Sequence, residues 1–201
     1  MTPRTPRIVV AGLLGVIAAV GAGMGDQLLA SPSSTATSPV DVPRGKHGSG
    51  RDEATGALPD GASVLDDELP GVANLDPALL GALRQAATDA AAAGVELVVR
   101  SGWRSRDHQE RLLQEAVSKY GSEEEAGRWV ATPDTSAHVS GDAVDVGPSA
   151  AAAWLSAHGA AYGLCRTYGN EPWHFELRLG AIEQGCPPMY ADPTHDPRMQ
   201  Q

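Results

Sequence analysis

Two short stretches of the sequence concentrate side chains that could do chemistry. The first, SAHVSGDAVDVG, spans residues 136–147 and holds one histidine and two aspartates among small residues. The second, EPWHFE, spans residues 171–176 and adds another histidine and another carboxylate, Glu171. Two imidazoles and one carboxylate form a three-ligand set that suits Zn²⁺ and leaves a fourth position open for water. The two stretches therefore predict a metal site of the catalytic type.

The ligands predicted from this pattern are His138, Asp145 and His174. Glu171 precedes His174 by three residues, so we expect it to lie beside the metal without binding it. A carboxylate in that place can act as the base that takes a proton from water. Asp142 has two interpretations, a residue that orients a ligand and a solvated loop residue.

Both stretches also match longer motifs, SxHxxGxAxD from Ser136 to Asp145 and ExWH from Glu171 to His174. These motifs resemble those of the VanY-like D-alanyl-D-alanine carboxypeptidases, zinc peptidases of bacterial cell walls related in fold to the hedgehog signalling domain. Upstream, SGWRSRDHQ is similar to the SGYRSxxxQ segment of that family, with Trp103 in place of tyrosine. The resemblance covers roughly residues 74–190.

The resemblance implies a role for each matching residue. It makes His138, Asp145 and His174 the zinc ligands and Glu171 the catalytic base. Arg104 would bind the substrate and stabilise the oxyanion, because a guanidinium keeps its charge and its fixed fork of donors at any working pH.

The remaining matches concern the substrate. Gln109 and Ser136 would help to hold the peptide. Without the resemblance, Arg104 is also consistent with a surface ion pair, and Gln109 with a surface or capping residue of a helix.

The first 30 residues predict export. Arg4 and Arg7 precede an uncharged run over residues 8–25, and basic residues before an apolar run are typical of a signal peptide. The run falls between the length of a cleaved signal and the ~20 residues that span a bilayer. Residues 1–30 are therefore either a cleaved signal peptide or an N-terminal membrane anchor, and the protein is expected outside the cell or in the cell envelope.

The rest of the chain divides by composition. Residues 31–70 are rich in Ser, Pro, Gly and Asp and predict a disordered linker. Residues 71–201 mix helical periodicity with short strands such as VELVVRSG and WHFEL, without regular βαβ alternation, which favours an α+β fold. The resemblance implies a small central antiparallel sheet flanked by helices, of the hedgehog/D-Ala-D-Ala peptidase type, and makes 71–201 the zinc D,D-carboxypeptidase domain.

Cys165 and Cys186 are the only cysteines of the 201-residue chain. Because an exported chain meets an oxidising environment, a disulfide between them is predicted. The alternative, a thiolate zinc ligand, would overfill a site that is already complete.

Charge and motifs together set the functional prediction. A formal net charge of -10 argues against a nucleic-acid partner, because phosphate binding requires clustered Lys and Arg. The resemblance implies an exported zinc D,D-carboxypeptidase that removes the terminal D-alanine from peptidoglycan stem peptides. An L,D-carboxypeptidase, a D,D-dipeptidase and a non-catalytic, zinc-stabilised cell-wall-binding module remain alternatives, and the oligomeric state is open.

Overall fold

A four-stranded antiparallel sheet lies at the centre of the fold. The computed structural model of the protein describes residues 54–200. The strands are β1 (Val98–Ser101), β2 (Ala143–Gly147), β3 (Leu164–Arg166) and β4 (His174–Leu177), in the spatial order β1-β2-β4-β3. Each neighbouring pair is antiparallel, so the predicted α+β fold with a small antiparallel sheet is confirmed.

Seven helices surround this sheet in the described part of the chain. They are α1 (Pro70–Ala73), α2 (Pro77–Ala92), α3 (Arg106–Tyr120), α4 (Glu123–Gly127), α5 (Ala137–Ser140), α6 (Ser149–His158) and α7 (Ala181–Gln184). Short 3₁₀ turns add Gly159–Tyr162, Pro193–His195 and Pro197–Gln200. Within residues 54–200, none of these helices has the length and apolar character that crossing a bilayer requires. The predicted signal or anchor, residues 1–30, lies outside the described residues.

Helix α2 covers the core, as its sequence pattern predicts. The Asp76 carboxylate accepts hydrogen bonds from the backbone N–H groups of Ala78 and Leu79 and so caps the helix. Pro77 is the first helical residue, a position where the backbone N–H that proline lacks would have no partner within the helix. Its inward face buries Leu79 and Leu83 completely, and both belong to the same apolar cluster as Phe175 of β4. The packing of this helix against Phe175 therefore holds β4, and the residues on β4, in position.

Residues 138–146 alternate in polarity and are punctuated by glycine, a pattern that predicts a strand over the whole stretch, but only its second half forms one. His138 lies on the single turn of α5, and the strand begins only at Ala143. Gly141 separates the two with φ of 85°, a left-handed conformation that L side chains rarely adopt. A Cβ at this position would also lie 2.5 Å from the carbonyl oxygen of Asn74. The strand prediction failed here because this glycine reverses the chain within the motif.

The predicted linker is too long at its C-terminal end. Residues 54–69 pack against the domain, since Ala62 and Val64 are each only 2% exposed and Val64 belongs to the apolar core. The backbone N–H of Val99 in β1 donates to the Ala62 carbonyl at 2.8 Å. The linker prediction is wrong for this part because a few apolar residues and backbone hydrogen bonds dock an otherwise polar stretch. Residues 31–53 lie outside the described residues.

The two cysteines form the predicted disulfide. It joins Cys165 of β3 to Cys186, which follows α7. Strand β3 itself was not predicted, because its three residues are too short to show a period. The disulfide ties the C-terminal segment to the edge of the sheet, and the same segment then continues toward the site.

We predict that Val64→Ala destabilises the protein although it lies in the stretch that resembles a linker. Removal of two buried methyl groups should lower the free energy of unfolding by about 1 to 3 kcal/mol. The matched control is Leu65→Ala, since Leu65 is 68% exposed and should change stability little. Denaturant unfolding measures both variants, and equal stability of the two would contradict the docking of this segment.

Candidate metal and catalytic site

The sheet brings two of the three predicted ligands together. Asp145 of β2 and His174 of β4 are direct partners in the antiparallel register, so their side chains lie on the same face. His138 reaches them from α5, whose carbonyl at His138 accepts a hydrogen bond from the Arg104 backbone N–H at 3.0 Å. All three side chains are largely buried, with residue exposures between 4% and 9%.

Three ligand atoms converge on one point. His138 Nε2 lies 3.3 Å from His174 Nδ1, and Asp145 Oδ1 lies 3.2 Å from His174 Nδ1 and 3.3 Å from His138 Nε2. Tetrahedral coordination with bonds of about 2.0 to 2.1 Å separates ligand atoms by roughly 3.3 to 3.4 Å. The donor types and the spacing both fit Zn²⁺, and the geometry is that of the predicted ligand set.

The far nitrogens of the two imidazoles are held by the protein. His138 Nδ1 lies 2.8 Å from the Gly102 carbonyl oxygen, and His174 Nε2 lies 3.2 Å from Glu176 Oε1. Since a carbonyl or carboxylate can only accept, each far nitrogen donates a proton to its partner, which leaves the inner nitrogen as the one that a metal ion would bind. Burial lowers the pKa of His138, whereas at His174 burial is outweighed by the hydrogen bonds to Asp145 and Glu176, which raise the pKa to about 9.

Arg104 binds Asp145, the third predicted ligand, through the carboxylate oxygen that does not face the imidazoles. Its Nη2 donates to Asp145 Oδ2 at 2.9 Å, its Nε donates to Ser101 Oγ at 2.7 Å, and its Nη1 donates to Gln109 Oε1 at 3.1 Å. The Arg104 side chain is only 14% exposed, so the pair is not a surface ion pair. One oxygen of Asp145 thus faces the guanidinium while the other faces the imidazoles.

Gln109 is buried rather than on the surface. It is 1% exposed, its Oε1 accepts from Arg104, and its Nε2 donates to the Ala131 carbonyl at 2.8 Å. Both ends of the amide are therefore engaged by the protein. In this geometry Gln109 positions Arg104, and the second N–H of its amide remains for the direct contact with substrate, which stays a prediction.

Ser136 and Glu171 line the cleft that opens over the three ligand atoms. This cleft has a volume of about 210 Å³ and is also bordered by Trp129, Trp173 and Met199. The Ser136 hydroxyl is buried and finds no hydrogen-bond partner in residues 54–200. A buried hydroxyl without a hydrogen-bond partner is unfavourable, so a ligand that forms a hydrogen bond with it would bind more tightly.

Glu171 lies next to the ligands without joining them. Its Oε2 is 3.7 Å from His174 Nδ1, and the residue is 7% exposed. Desolvation raises the pKa of its carboxyl to about 7, although His174 opposes the shift. Asp142, by contrast, is exposed and accepts a hydrogen bond from Ser140 Oγ at 2.6 Å, so it is the solvated loop residue of the two interpretations.

The sequence model of the VanY family, described as D-alanyl-D-alanine carboxypeptidase, matches residues 73–178, more than half of the chain. The chain belongs to the VanY family. The predicted resemblance is therefore confirmed, and with it the hedgehog-like peptidase fold.

Individual relatives of this VanY-family protein agree with the assignment. A D-alanyl-D-alanine carboxypeptidase of Enterococcus faecalis (strain ATCC 700802 / V583) is 33% identical over 113 residues, which cover 43% of this chain and 42% of the relative. The chain thus spans less than half the length of this curated relative.

Two solved structures are also similar. One, described as VanYB in complex with D-Alanine-D-Alanine, is 27% identical with a TM-score of 0.51, covering 55% of this chain and 78% of that one. Another, an L,D-carboxypeptidase DacB from Streptococcus pneumoniae, is 29% identical with a TM-score of 0.47, covering 56% and 71%.

Two further residues support the site from outside the predicted set. Glu176, 1% exposed, binds His174 on one side and is held by Arg198 on the other, with Nη1 2.7 Å from Oε2 and Nη2 3.1 Å from Oε1. Glu176 follows His174 by two residues, so the strand period places both on one face, a signal the sequence contained. Arg198 lies beyond residues 73–178 of the family match, and no local pattern points to it.

We predict that Arg198→Gln weakens Zn²⁺ binding by roughly 10-fold, the lower end of the effect of a lost partner behind a metal-bound histidine. The effect should be moderate because Arg178 Nη2 also holds Glu176 Oε2, at 2.7 Å. Competition with a chromogenic chelator measures the affinity, with His174→Ala as the variant that loses the metal. Arg111→Gln is the control, since Arg111 is exposed and bonds its own helix backbone. A wild-type affinity of Arg198→Gln for Zn²⁺ would refute the role of Arg198 in holding Glu176 against His174.

Proposed function

We propose that this VanY-family protein is an exported zinc D,D-carboxypeptidase that removes the terminal D-alanine from peptidoglycan stem peptides. The observation that carries the proposal is the convergence of His138 Nε2, Asp145 Oδ1 and His174 Nδ1 to within 3.3 Å of one another beside Glu171. Zn²⁺ in such a site supplies a Lewis acid that polarises a carbonyl oxygen and acidifies water. The protein's own residues supply the proton transfers and the substrate contacts.

Glu171 is the general base in this proposal. It lines the cleft, it is too far from the converging atoms to be a fourth ligand, and its carboxylate accepts no hydrogen bond from the described part of the chain. A carboxylate that is buried and otherwise unengaged can take a proton from a water in the cleft. The same carboxyl can then give the proton to the leaving amine of D-alanine.

Arg104 and Ser136 are the substrate contacts. A guanidinium has five N–H donors, and three of the Arg104 nitrogens already use one each on the protein. Its remaining donors are available to the scissile carbonyl oxygen or to a terminal carboxylate. The Ser136 hydroxyl has no protein partner among residues 54–200 and can donate to the same carboxylate.

The choice of substrate rests on one neighbour and stays a proposal. The similar VanYB structure is described in complex with D-Alanine-D-Alanine, which favours a D,D-peptide over the L,D-carboxypeptidase alternative and is equally compatible with a D,D-dipeptidase. The intact Glu171 and Arg104 argue against a non-catalytic wall-binding module. Export is supported by the basic and apolar N-terminus and by the Cys165–Cys186 disulfide, because disulfides persist mainly in oxidising compartments.

We predict that Glu171→Gln lowers D-alanine release by roughly 10²- to 10⁴-fold, the usual contribution of a positioned proton carrier. Zn²⁺ content should stay at the wild-type level, because Glu171 is not a ligand. The measurement combines D-alanine assay on tri-, tetra- and pentapeptide stems, with and without chelator, and elemental analysis.

Glu110→Gln is the matched control, since Glu110 is exposed on α3 and is not among the residues that line the cleft. Full activity in Glu171→Gln would contradict the assigned base. No release from any stem by the zinc-loaded wild type would favour the binding module, and release only from tetrapeptides would favour an L,D-carboxypeptidase.

A further inference from the structure

A second, larger cavity adjoins the cleft along β2 and α6. This β2–α6 groove has a volume of about 770 Å³ and is lined by Arg100, Pro148, Ser149, Ser156 and Arg166, among others. Two residues, Asp145 and Trp173, border both the groove and the cleft. The converging ligand atoms therefore lie between a small cleft and a wide groove, as a bond being cleaved would lie between the two parts of a peptide.

The groove carries two arginines that lack acidic partners. Six of the nine arginines in residues 54–200 pair with a carboxylate, namely Arg84, Arg104, Arg106, Arg128, Arg178 and Arg198. Arg100 and Arg166 form no ion pair within the described residues. Arg100 is exposed and Arg166 is partly buried, so both guanidinium groups remain available to a ligand in the groove, and a carboxylate is the partner that a guanidinium binds most strongly.

The two guanidinium groups come from opposite edges of the sheet. Arg100 is on β1 and Arg166 is on β3, and β2 and β4 lie between these strands. Neighbouring strands are about 4.8 Å apart, so the two backbones are roughly 14 Å apart. The side chain of Arg100 lies over Gly147, since a Cβ added to Gly147 would come within 2.9 Å of the Arg100 Cγ. On the other edge, Arg166 Nε donates to Met189 Sδ at 2.8 Å. This separation suits an extended ligand better than a single small anion.

Asp145 is the only acidic residue that lines the groove in the described part of the chain, and Arg104 and the imidazoles already engage it. The groove therefore presents positive charge and hydrogen-bond donors to a ligand. Trp173, 41% exposed, adds an apolar surface where the groove meets the cleft. Such a combination favours a peptide chain that carries carboxylates.

We propose that the β2–α6 groove binds the part of the substrate peptide upstream of the cleaved bond, and that Arg100 and Arg166 select peptides with carboxylates there. This inference rests on the proposed function and names the class of substrate that the same site prefers. The smaller cleft, with its unsatisfied Ser136 hydroxyl, then receives the terminal residue.

The test compares two peptides that end in D-Ala-D-Ala and differ only upstream, one with carboxylate side chains and one with the matching amides. For Arg100→Gln/Arg166→Gln, kcat/KM on the carboxylate peptide should fall about 10-fold, mainly through KM, as expected for lost charged hydrogen bonds at a partly exposed site. The amide peptide should change less than twofold. In the wild type, added salt should reduce the preference for the carboxylate peptide.

Arg111→Gln serves as the control, because it removes an exposed arginine of α3 outside the groove. An equal loss on both peptides, or no loss on either, would overturn the inference and leave the proposed function intact. If a glycerol phosphate polymer competes with the wild type while neither peptide is preferred, the groove binds a phosphate polymer and the inference is wrong.

A binding measurement keeps the inference testable if D-alanine release fails. Calorimetry with Glu171→Gln protein should show tighter binding of the carboxylate peptide than of the amide peptide. The preference should disappear when Arg100→Gln and Arg166→Gln are added to that variant. Binding that ignores the carboxylates in both proteins would reject the groove regardless of the catalytic result.

Discussion

The antiparallel pairing of β2 with β4 is the constraint on which the site depends. It sets Asp145 opposite His174, and a shift of one residue would turn the two side chains to opposite faces. Both strands are almost fully buried, and Val144 and Phe175, the neighbours of these two residues, are 0% exposed. The same packing that fills the core on one face therefore fixes the ligand spacing on the other.

Buried charge is the second feature that organises the molecule. An ionised group that is removed from water destabilises the fold unless it is paired and hydrogen-bonded. If one partner of a buried pair is removed, the other is left as an unpaired buried charge, and the fold loses stability. Asp145 divides its oxygens between Arg104 and the imidazoles, while Glu176 divides its oxygens among His174, Arg178 and Arg198. Each imidazole thereby has a fixed orientation, and rotation of a ring would leave a buried group without its partner.

The sequence predicted the parts of the site that are local and missed the parts that depend on distant contacts. The ligand set and Glu171 follow from two short motifs and the family resemblance that they carry, and the starts of α2 and α3 follow from caps that act over three or four residues. Gln109 was ambiguous because burial of a helical glutamine depends on what covers the helix. Arg198 and the docking of Val64 arise from contacts across the fold, which single-chain periodicity does not encode.

The last described residues have a consequence for how the metal site is completed. The segment after Cys186 supplies Pro193 and Met199 to the wall of the cleft and Arg198 to Glu176, so this segment completes a candidate centre whose predicted ligands all precede residue 175. A fragment that ended at the last motif would keep the three predicted ligands and would lose both this wall and the hydrogen bonds from Arg198 to Glu176. Retention of the Zn²⁺ that we propose should therefore depend on residues 187–200, which lie outside the recognisable motifs.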